Sequence, residues 1–260
     1  MREVTSRDNP GYKAVAKLIA SASQRRKSGL SVLDGPHLLA AYLDSGARPE
    51  ELFVSRAGLE DTEIARLVVR SEPARATLLA DALYDALSTV ESPTGVLTVV
   101  RTPHAKPAPR DAGFALLLED IQDPGNVGTL LRSAAAAGAT DVLLSPHCAF
   151  AWSPKVLRAA MGAHFAVNIA EGVDLLAWVT GYQGRSVALA GGAKRSLYDV
   201  ELRGPLALLV GNEGAGLSEA LAEAATERAA IPISPRMESL NAAAAGTVGL
   251  FEAARQRRGR

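Results

Sequence analysis

Residues 114–145 read FALLLEDIQDPGNVGTLLRSAAAAGATDVLLS, a stretch with an apolar run at each end and a helical pattern between them. The runs, FALLLE at 114–119 and DVLLS at 141–145, are too short for helices. Because they are almost continuously apolar, they are typical of strands buried on both faces. Two such strands joined through a helix lie parallel. The stretch therefore predicts a β–α–β unit and an α/β fold.

The same alternation of short apolar runs and helical patterns continues toward the C-terminus. Further strands are predicted as FAVNI at 165–169, SVALA at 186–190, LALLV at 206–210 and AAIPI at 229–233. We therefore expect a parallel sheet flanked by helices. In such a sheet, ligands bind outside the carboxyl ends of the strands.

Upstream of this sheet, the proline-rich segment at 101–113 lacks apolar periodicity, as is typical of an extended linker. We expect an N-terminal domain at 1–104, a linker at 105–112 and a C-terminal domain at 113–260. The first domain is predicted to be a small α/β sandwich. Its predicted elements are an amphipathic helix from Tyr12 to Ala22, helices near 37–43, 61–70 and 81–88, and strands at 51–55, 77–80 and 95–100.

The composition is that of an ordinary globular protein, with 48% hydrophobic and 22% charged residues among 260. No stretch approaches the roughly 20 apolar residues of a membrane span, and the N-terminus lacks the apolar region of a signal peptide. The single Cys148 excludes a disulfide framework within the chain, and the four histidines lack zinc-site spacing. We expect a soluble, cytoplasmic protein without a metal.

The net charge is zero, but both ends of the chain are basic. Residues 1–30 carry a net charge of +5 and residues 251–260 one of +3, which leaves −8 for the middle. Clustered positive charge suits a polyanion such as nucleic acid, although basic terminal helices also serve solubility. The basic residues are Arg2, Arg7, Lys13, Lys17, Arg25, Arg26 and Lys27 at the first end and Arg255, Arg257, Arg258 and Arg260 at the second.

Three polar loops follow predicted strands, and the first spans 119–139. Its Asp123-Pro124-Gly125 predicts a turn, and Asn126 is placed to cap the helix that follows. The turn and the helix cap give a structural reason for the polar residues of this loop, with the exception of Arg132. By position alone, Arg132 is a surface residue or points toward the strand ends.

The second loop, at 208–221, holds Gly211, Gly214 and Gly216, which permit close approach of a ligand or a positive φ. Their spacing is GxxGxG, which differs from the GxGxxG turn of dinucleotide-binding proteins, and the chain contains no GxxxxGK[ST] loop. The spacing disfavours a Rossmann dehydrogenase and a P-loop NTPase. An ordinary strand-to-helix turn, with Ser218 near the helix start, is the alternative.

The third loop and the final helix span 231–257. Pro232 and Pro235 hold the loop extended, and Ser239 can cap the helix. Small residues in the first turns of that helix permit close packing against a ligand, a backbone or another subunit. A cap at Ser239 would explain the serine but not the asparagine at position 241.

Taken in order, the three loops resemble the sequence motifs of the SpoU (TrmH) methyltransferases. The matching strings are DPGNVGTLLRSA at 123–134, LLVGNEGAGL at 208–217 and IPISPRMESLNAAAA at 231–245. Upstream, the stretch at 33–55 and ESPTGVLTVV at 91–100 are similar to the N-terminal substrate-binding domain of many members. The resemblance therefore covers most of the chain.

This resemblance implies the SPOUT fold, a parallel α/β sheet whose C-terminal segment forms a trefoil knot, with a smaller N-terminal RNA-binding domain. It also implies S-adenosylmethionine as the cofactor, bound by the loop backbone at Gly211, Ile231 and Leu240. Family members dimerise through the knotted domain, so the resemblance implies a homodimer. One subunit's RNA-binding domain then lies near the other's active site.

The resemblance further implies a reactive centre around the ribose. A 2′-hydroxyl is a poor nucleophile and needs a proton acceptor and a fixed in-line approach. Arg132 matches the position of the arginine that is proposed to activate the 2′-hydroxyl in the family. Because a neutral guanidinium is costly, we expect it to anchor a phosphate or orient the hydroxyl, with the base left open. The implied residues are Asn126 and Asn241, which would hold the ribose and loops, Glu213, which would orient Arg132 or a partner's loop, together with Arg132 and Ser239.

The expected activity is 2′-O-ribose methylation of structured RNA, and its substrate is open between two classes. The separate N-terminal domain favours large-subunit ribosomal RNA, whereas the basic ends suit tRNA equally well. Self-resistance to an antibiotic is a further role compatible with this domain plan. An RNA-binding protein of the same fold without catalysis is the alternative class. A small-molecule nucleotide enzyme is disfavoured because the phosphate loop is absent.

Overall fold

The computed structural model describes residues 2–90, 92–107 and 109–258. Arg260 of the basic end, Ala108 of the predicted linker and Glu91 of the upstream motif lie outside the described residues. Before Ala105, the elements are β1 (Arg2–Val4), α1 (Pro10–Ala20), α2 (Ala22–Ser28), β2 (Leu30–Asp34), α3 (Pro36–Asp44), β3 (Glu51–Ser55), α4 (Arg56–Glu60), α5 (Thr62–Arg70), β4 (Arg75–Leu79), α6 (Asp81–Asp85) and β5 (Val96–Arg101). After it follow β6 (Phe114–Leu118), α7 (Pro124–Ala137), β7 (Asp141–Leu144), α8 (Pro154–Ala160), β8 (Asn168–Ala170), α9 (Leu175–Thr180), β9 (Arg185–Leu189), β10 (Leu206–Val210), α10 (Glu219–Ala224), β11 (Glu227–Ala229) and α11 (Ala242–Arg257).

The contacts divide the chain into two compact units. The first comprises the described residues up to His104 together with Trp152–Phe165, and the second comprises Ala105–Ala151 and the residues from Ala166 onward. The domain boundaries expected from the sequence stay a prediction. The contacts differ from them at Trp152–Phe165, which the sequence placed in the C-terminal domain.

The first unit is built on a five-stranded mixed sheet of order β1-β4-β3-β5-β2. Helix α1 buries Tyr12, Val15 and Leu18 against this sheet and leaves Lys13 and Lys17 exposed, as its periodicity predicts. A second apolar cluster contains Leu39 and Leu43 of α3, Ile64 and Leu67 of α5, and Leu52 and Val54 of β3. The sequence pattern did not predict β1, α2, β2, α4 and α8.

The second unit is built on a six-stranded sheet of order β11-β9-β10-β6-β7-β8, in which every pair is parallel. Every residue of β6 and β10 is buried, which confirms a sheet covered on both faces. Helices α9 and α10 pack against the strand side chains on one face of this sheet. Helix α11 packs against α7 and β10.

Small residues allow α11 to approach α7 and the sheet closely. A Cβ at Gly246 would collide with the Leu130 side chain of α7, and one at Gly249 would lie 2.9 Å from Leu189 Cδ1 of β9. The small-residue face expected from the sequence therefore packs within the unit.

Two strand predictions in this unit were wrong in position. For 165–169, the chain forms a 3-10 turn at Ala163–Phe165 and a strand only from Asn168 to Ala170. For 229–233, the strand is β11, Glu227–Ala229, and it ends before Pro232. Pro232 has no N–H to donate to a ladder, whereas the polar Glu227 and Arg228 suit the edge position of β11.

The segment predicted as a linker is fastened to the second unit. The Lys106 N–H donates to Asn168 Oδ1 at 3.0 Å, and Asn168 Nδ2 donates to the Lys106 carbonyl at 2.9 Å. The Arg110 guanidinium donates to the Ala177 carbonyl at 2.8 Å, and the Gln183 N–H donates to the Arg110 carbonyl at 2.8 Å. Described residues of 105–112 are therefore held by specific hydrogen bonds.

Candidate active site

The three motif-bearing loops lie together at the carboxyl end of the second sheet. The first loop leaves β6 and the second leaves β10, and these strands are parallel neighbours in register from Leu206 opposite Phe114 to Val210 opposite Leu118. The third loop runs from the end of β11 to the start of α11. Strand adjacency therefore explains why segments about 90 residues apart meet.

Glu213, Asn126 and Asn241, one residue from each loop, form a continuous hydrogen-bonded cluster. Asn126 Nδ2 donates to Glu213 Oε1 at 2.9 Å, and Asn241 Nδ2 donates to Asn126 Oδ1 at 3.0 Å. Glu213 also accepts the Asp123 N–H on Oε1 at 3.1 Å and the Gln122 N–H on Oε2 at 3.2 Å. The structure thus brings together three of the five residues expected at the reactive centre.

Hydrogen bonds keep the Glu213 carboxylate ionised. Burial by itself raises the pKa of Glu213, but donation from the Asn126 amide and from three backbone N–H groups outweighs burial. The backbone donors belong to Glu213 itself, Asp123 and Gln122. The pKa therefore lies below its ordinary value, and the carboxylate acts as a fixed acceptor that ties two loops together.

Two capping predictions were wrong, and both errors concern this cluster. Asp123, and not Asn126, is the N-cap of α7, and its carboxylate accepts the Asn126 N–H at 2.9 Å. Asn241, and not Ser239, is the N-cap of α11, and its Oδ1 accepts the Ala244 N–H at 3.1 Å. Since Asp123 performs the capping, the Asn126 side chain is available to Glu213 and Asn241.

Arg132 and Ser239 are not hydrogen-bonded to the cluster. Arg132 lies six residues after Asn126 on α7, and a helical rotation of about 100° per residue places it on a different face. Both side chains are exposed and make no hydrogen bond or ion pair with the described residues. Their placement at the reactive centre stays a prediction.

A cavity of about 290 Å³ opens beside the cluster. All three residues expected to bind a cofactor, Gly211, Ile231 and Leu240, line it, together with Glu213 and Ser239. Gly211 is also required by the loop itself, because a Cβ there would collide with the backbone of Gly216 and Leu217. A second cavity, of about 520 Å³ and bordered by Arg195, Tyr198 and Arg203, contains none of the expected site residues among those described.

Asn212 is a positioning residue that the sequence analysis did not single out. Its Nδ2 donates to the Asp120 carbonyl at 2.8 Å, and its Oδ1 accepts the N–H groups of Gly214 and Ala215 at 2.9 and 3.0 Å. It also exchanges two backbone hydrogen bonds with Gly216. Asn212 therefore closes the glycine loop and ties it to the first loop. Its place between Gly211 and Glu213 was the only available signal.

The basic ends of the chain are partly used for structure. Arg25 is buried and donates to the carbonyls of Leu18 and Ile19 at 2.5 and 2.9 Å. Arg255 pairs with Glu252 at 2.8 Å, and Arg257 donates to the Gly204 carbonyl at 2.6 Å. These three arginines belong to the fold, so the exposed charge available to a polyanion is smaller than the sequence total.

The described part of the chain contains no group of three or more His, Cys, Asp or Glu residues arranged to hold a metal ion. None of its helices is long and apolar enough to cross a membrane.

Comparison with known proteins agrees with the geometry of this site. The model of the SpoU rRNA Methylase family matches residues 113–251, more than half of the chain and the whole of the region that carries the three loops. The chain belongs to the SpoU family. The match begins just before β6 and ends within α11, so it includes every residue of the cluster and the cavity.

SpoU relatives match along almost the whole chain. A Bacillus subtilis protein named 23S rRNA (guanosine(2553)-2′-O)-methyltransferase RlmP is 31% identical, over 96% of this chain and 98% of that protein. The AdoMet-bound structure of an rRNA methyltransferase from Sinorhizobium meliloti has a TM-score of 0.85 at 28% identity and covers 98% of both chains. The complex of the Streptomyces viridochromogenes SpoU methyltransferase AviRb with AdoMet has a TM-score of 0.86 at 28% identity, covering 96% of this chain and 99% of that one.

Proposed function

We propose that this SpoU protein uses S-adenosylmethionine to methylate a ribose 2′-hydroxyl of RNA. The observation that carries the proposal is the meeting of the three motif loops at one sheet edge. There the Glu213–Asn126–Asn241 cluster lies beside a cavity lined by Gly211, Ile231 and Leu240. The cofactor and the RNA activity are those named for the relatives and structural neighbours.

The cavity has the chemistry to hold S-adenosylmethionine. Apolar side chains such as Val210 and Ile231 provide surface for the adenosine, and the glycine loop brings backbone groups close to it. When bound, the cofactor supplies an electrophilic methyl group on a positively charged sulfur. Glu213 borders the cavity as a carboxylate, so the charge of this wall suits a cationic ligand.

The cluster positions the ribose. Asn126 is half-buried and Asn241 is exposed. The hydrogen bond between their side chains fixes their separation in the absence of RNA. Their amides retain hydrogen-bonding capacity, since an amide offers two donor hydrogens and two acceptor lone pairs. Such preorganisation fixes the in-line approach of the 2′-oxygen. Arg132, whose guanidinium bonds to none of the described residues, anchors an RNA phosphate or orients the hydroxyl, and the general base stays open.

The proposed substrate is large-subunit ribosomal RNA. Its support is the similarity along nearly the full length of RlmP, which is named for 23S rRNA, and the presence of a separate α/β unit upstream of the catalytic unit. A tRNA substrate is the alternative, because an uncharacterized Synechocystis relative, 30% identical, is named a tRNA/rRNA methyltransferase. We place the reaction in the cytoplasm.

The proposal includes a homodimer and a trefoil knot. Both features are inferred from the family resemblance. Exposed apolar side chains in the third loop and on α11 add support for a dimer, since exposed apolar groups favour association. Met237 is 62% exposed, Phe251 46% and Leu240 40%. Sedimentation equilibrium of the full chain tests the dimer, and a monomer at micromolar concentration would refute it.

The deciding experiment is transfer of labelled methyl from S-adenosylmethionine to unmodified total RNA separated by size. Ribose methylation is then mapped by resistance to alkaline cleavage. Label at one 2′-O position in large ribosomal RNA supports the main proposal and names the nucleotide. Label in tRNA would show that the protein is an RNA methyltransferase whose substrate is tRNA. No label in any RNA, with cofactor binding intact, favours an RNA-binding protein without catalysis.

A further inference from the structure

Two carboxylates, Glu213 and Glu238, are the charged groups among the described residues that line the cavity beside the cluster. Its remaining lining is apolar, glycine, or neutral and polar, as at Asn212 and Ser239. S-adenosylmethionine carries two positive groups, the sulfonium and the α-ammonium, and one negative carboxylate. A cavity with two acidic side chains and no basic one therefore matches the cationic groups of this ligand.

The two carboxylates differ in what they already bind. Both oxygens of Glu213 accept hydrogen bonds from the protein, including those from Asn126 and the Asp123 backbone. Glu238 is exposed and accepts no hydrogen bond and pairs with no cation among the described residues. Glu238 is therefore the carboxylate that is free to bind a positively charged group of the ligand.

The gradient of burial along the cavity wall orients the ligand. Ala229, Val210 and Ala242 are 0%, 3% and 8% exposed, and they form its deep apolar part. Glu238 and Ser239 are exposed and form its mouth. An adenine ring gains most from the apolar part, whereas the ammonium and carboxylate of the methionine moiety stay near water. The methionine moiety then lies at the mouth, beside Glu238.

We propose that the Glu238 carboxylate binds the α-ammonium group of S-adenosylmethionine and so selects ligands that carry the amino-acid moiety. This inference rests on the proposed function, since it assumes the cofactor. Glu238 acts on binding and not on the transfer itself. Glu238 lies three residues before Asn241, in the segment that leads into the cluster.

The test is calorimetric titration of the full chain, without RNA, against three ligands that differ in charge. S-adenosylmethionine carries ammonium and sulfonium, S-adenosylhomocysteine carries the ammonium alone, and 5′-methylthioadenosine carries neither. Glu238→Gln should weaken binding of the first two ligands to a similar extent. The expected loss is about threefold to tenfold, between the value of an exposed ion pair and that of a charge-assisted hydrogen bond. Binding of 5′-methylthioadenosine should not change.

Glu223→Gln is the matched control, because Glu223 is an exposed carboxylate of the same unit outside the cavity. It should leave all three affinities unchanged. Loss of S-adenosylmethionine affinity alone would overturn the inference, because the carboxylate would then face the sulfonium. An equal loss for all three ligands, or no loss for any, would also overturn it. If the unsubstituted chain binds no S-adenosylmethionine, the proposed function itself fails.

Discussion

The hydrogen-bonded cluster differs from two other side chains of the second unit, Arg132 and Glu238, in the contacts that each group makes. Glu213, Asn126 and Asn241 are joined to each other and to the loop backbone across all three motifs. Arg132 and Glu238 are exposed and bond to none of the described residues. The cluster is therefore formed by folding, whereas the open side chains are available to ligands. Substitutions should separate these two groups, because only the first should change stability.

The largest effect is expected at Glu213, which belongs to both the fold and the site. Glu213→Ala removes the acceptor for Asn126 and for the backbone N–H groups of Gln122 and Asp123, so the first two loops lose one of their connections. We expect methyl transfer to fall by about a hundredfold or more, since small misplacements cost this much. The free energy of unfolding should fall by about 1 kcal/mol, because water replaces part of the lost bonding. Urea denaturation and methyl transfer measured on one preparation check both, and full activity would contradict the assigned role.

Arg132→Ala should affect activity alone. We expect methyl transfer to fall by about tenfold to a hundredfold, because a hydrogen bond from a charged group contributes about 1.5–3 kcal/mol. The free energy of unfolding should stay within about 0.5 kcal/mol, because the exposed side chain bonds to nothing described. Cofactor affinity should also be retained.

Arg132→Lys is the matched variant that keeps the charge and removes the planar guanidinium. Partial activity would favour phosphate anchoring, whereas activity as low as that of the alanine variant would favour geometric orientation of the hydroxyl. Unchanged methyl transfer by Arg132→Ala would remove this residue from the site.

Asn241 and Ser239 give a smaller contrast within one segment. Asn241→Ala removes the cap of α11 and the hydrogen bond to Asn126, so we expect a loss of about 1–2 kcal/mol in unfolding free energy. Ser239→Ala should change it by less than about 0.5 kcal/mol. Thermal unfolding of the two variants compares them directly. Equal destabilisation would show that Ser239 also contributes to the cap.

The smallest expected effect is the pH dependence of the unfolding free energy that Glu213 causes. Because the folded pKa of Glu213 lies below its ordinary value, its contribution to stability is present above the ordinary value of 4.5. That contribution is lost as the pH falls through the lower, folded pKa. Glu213→Gln should therefore flatten the acid side of a plot of urea midpoint against pH. An unchanged acid slope would show that the cluster does not hold Glu213 as a carboxylate.

The sequence predicted the sheet of the second unit well where strands are buried on both faces. Strand β10 spans the predicted residues, and β6 differs by one residue at its end. Prediction was poorer at the sheet edges, since β8 and β11 are three residues each and both were placed wrongly. A central strand is almost continuously apolar and stands out, whereas a short edge strand has a mixed pattern and depends on its neighbour for hydrogen bonds.

The roles of the expected site residues stay predictions, whereas their arrangement can be compared with the structure. All three expected cofactor residues line one cavity, and three of the five expected reactive residues form one cluster. The roles of Asn126 and Ser239 as caps were wrong, because Asp123 and Asn241 take these positions. Several nearby residues in each loop have side chains able to cap, and backbone geometry selects among them. Asn212 was missed because the Asp120 carbonyl, the partner through which it ties the two loops together, lies 92 residues away in the sequence.

The sequence by itself determined the α/β class, the buried central strands and the three loops that carry the SpoU motifs. Periodicity and local spacing are sufficient for these features because they depend on neighbouring residues. Only the tertiary structure decided that Asn126 bonds to Asn241, 115 residues away, and that Arg132 and Glu238 remain open. Such pairings follow from the order of strands in the sheet, and strand order depends on contacts between distant parts of the chain.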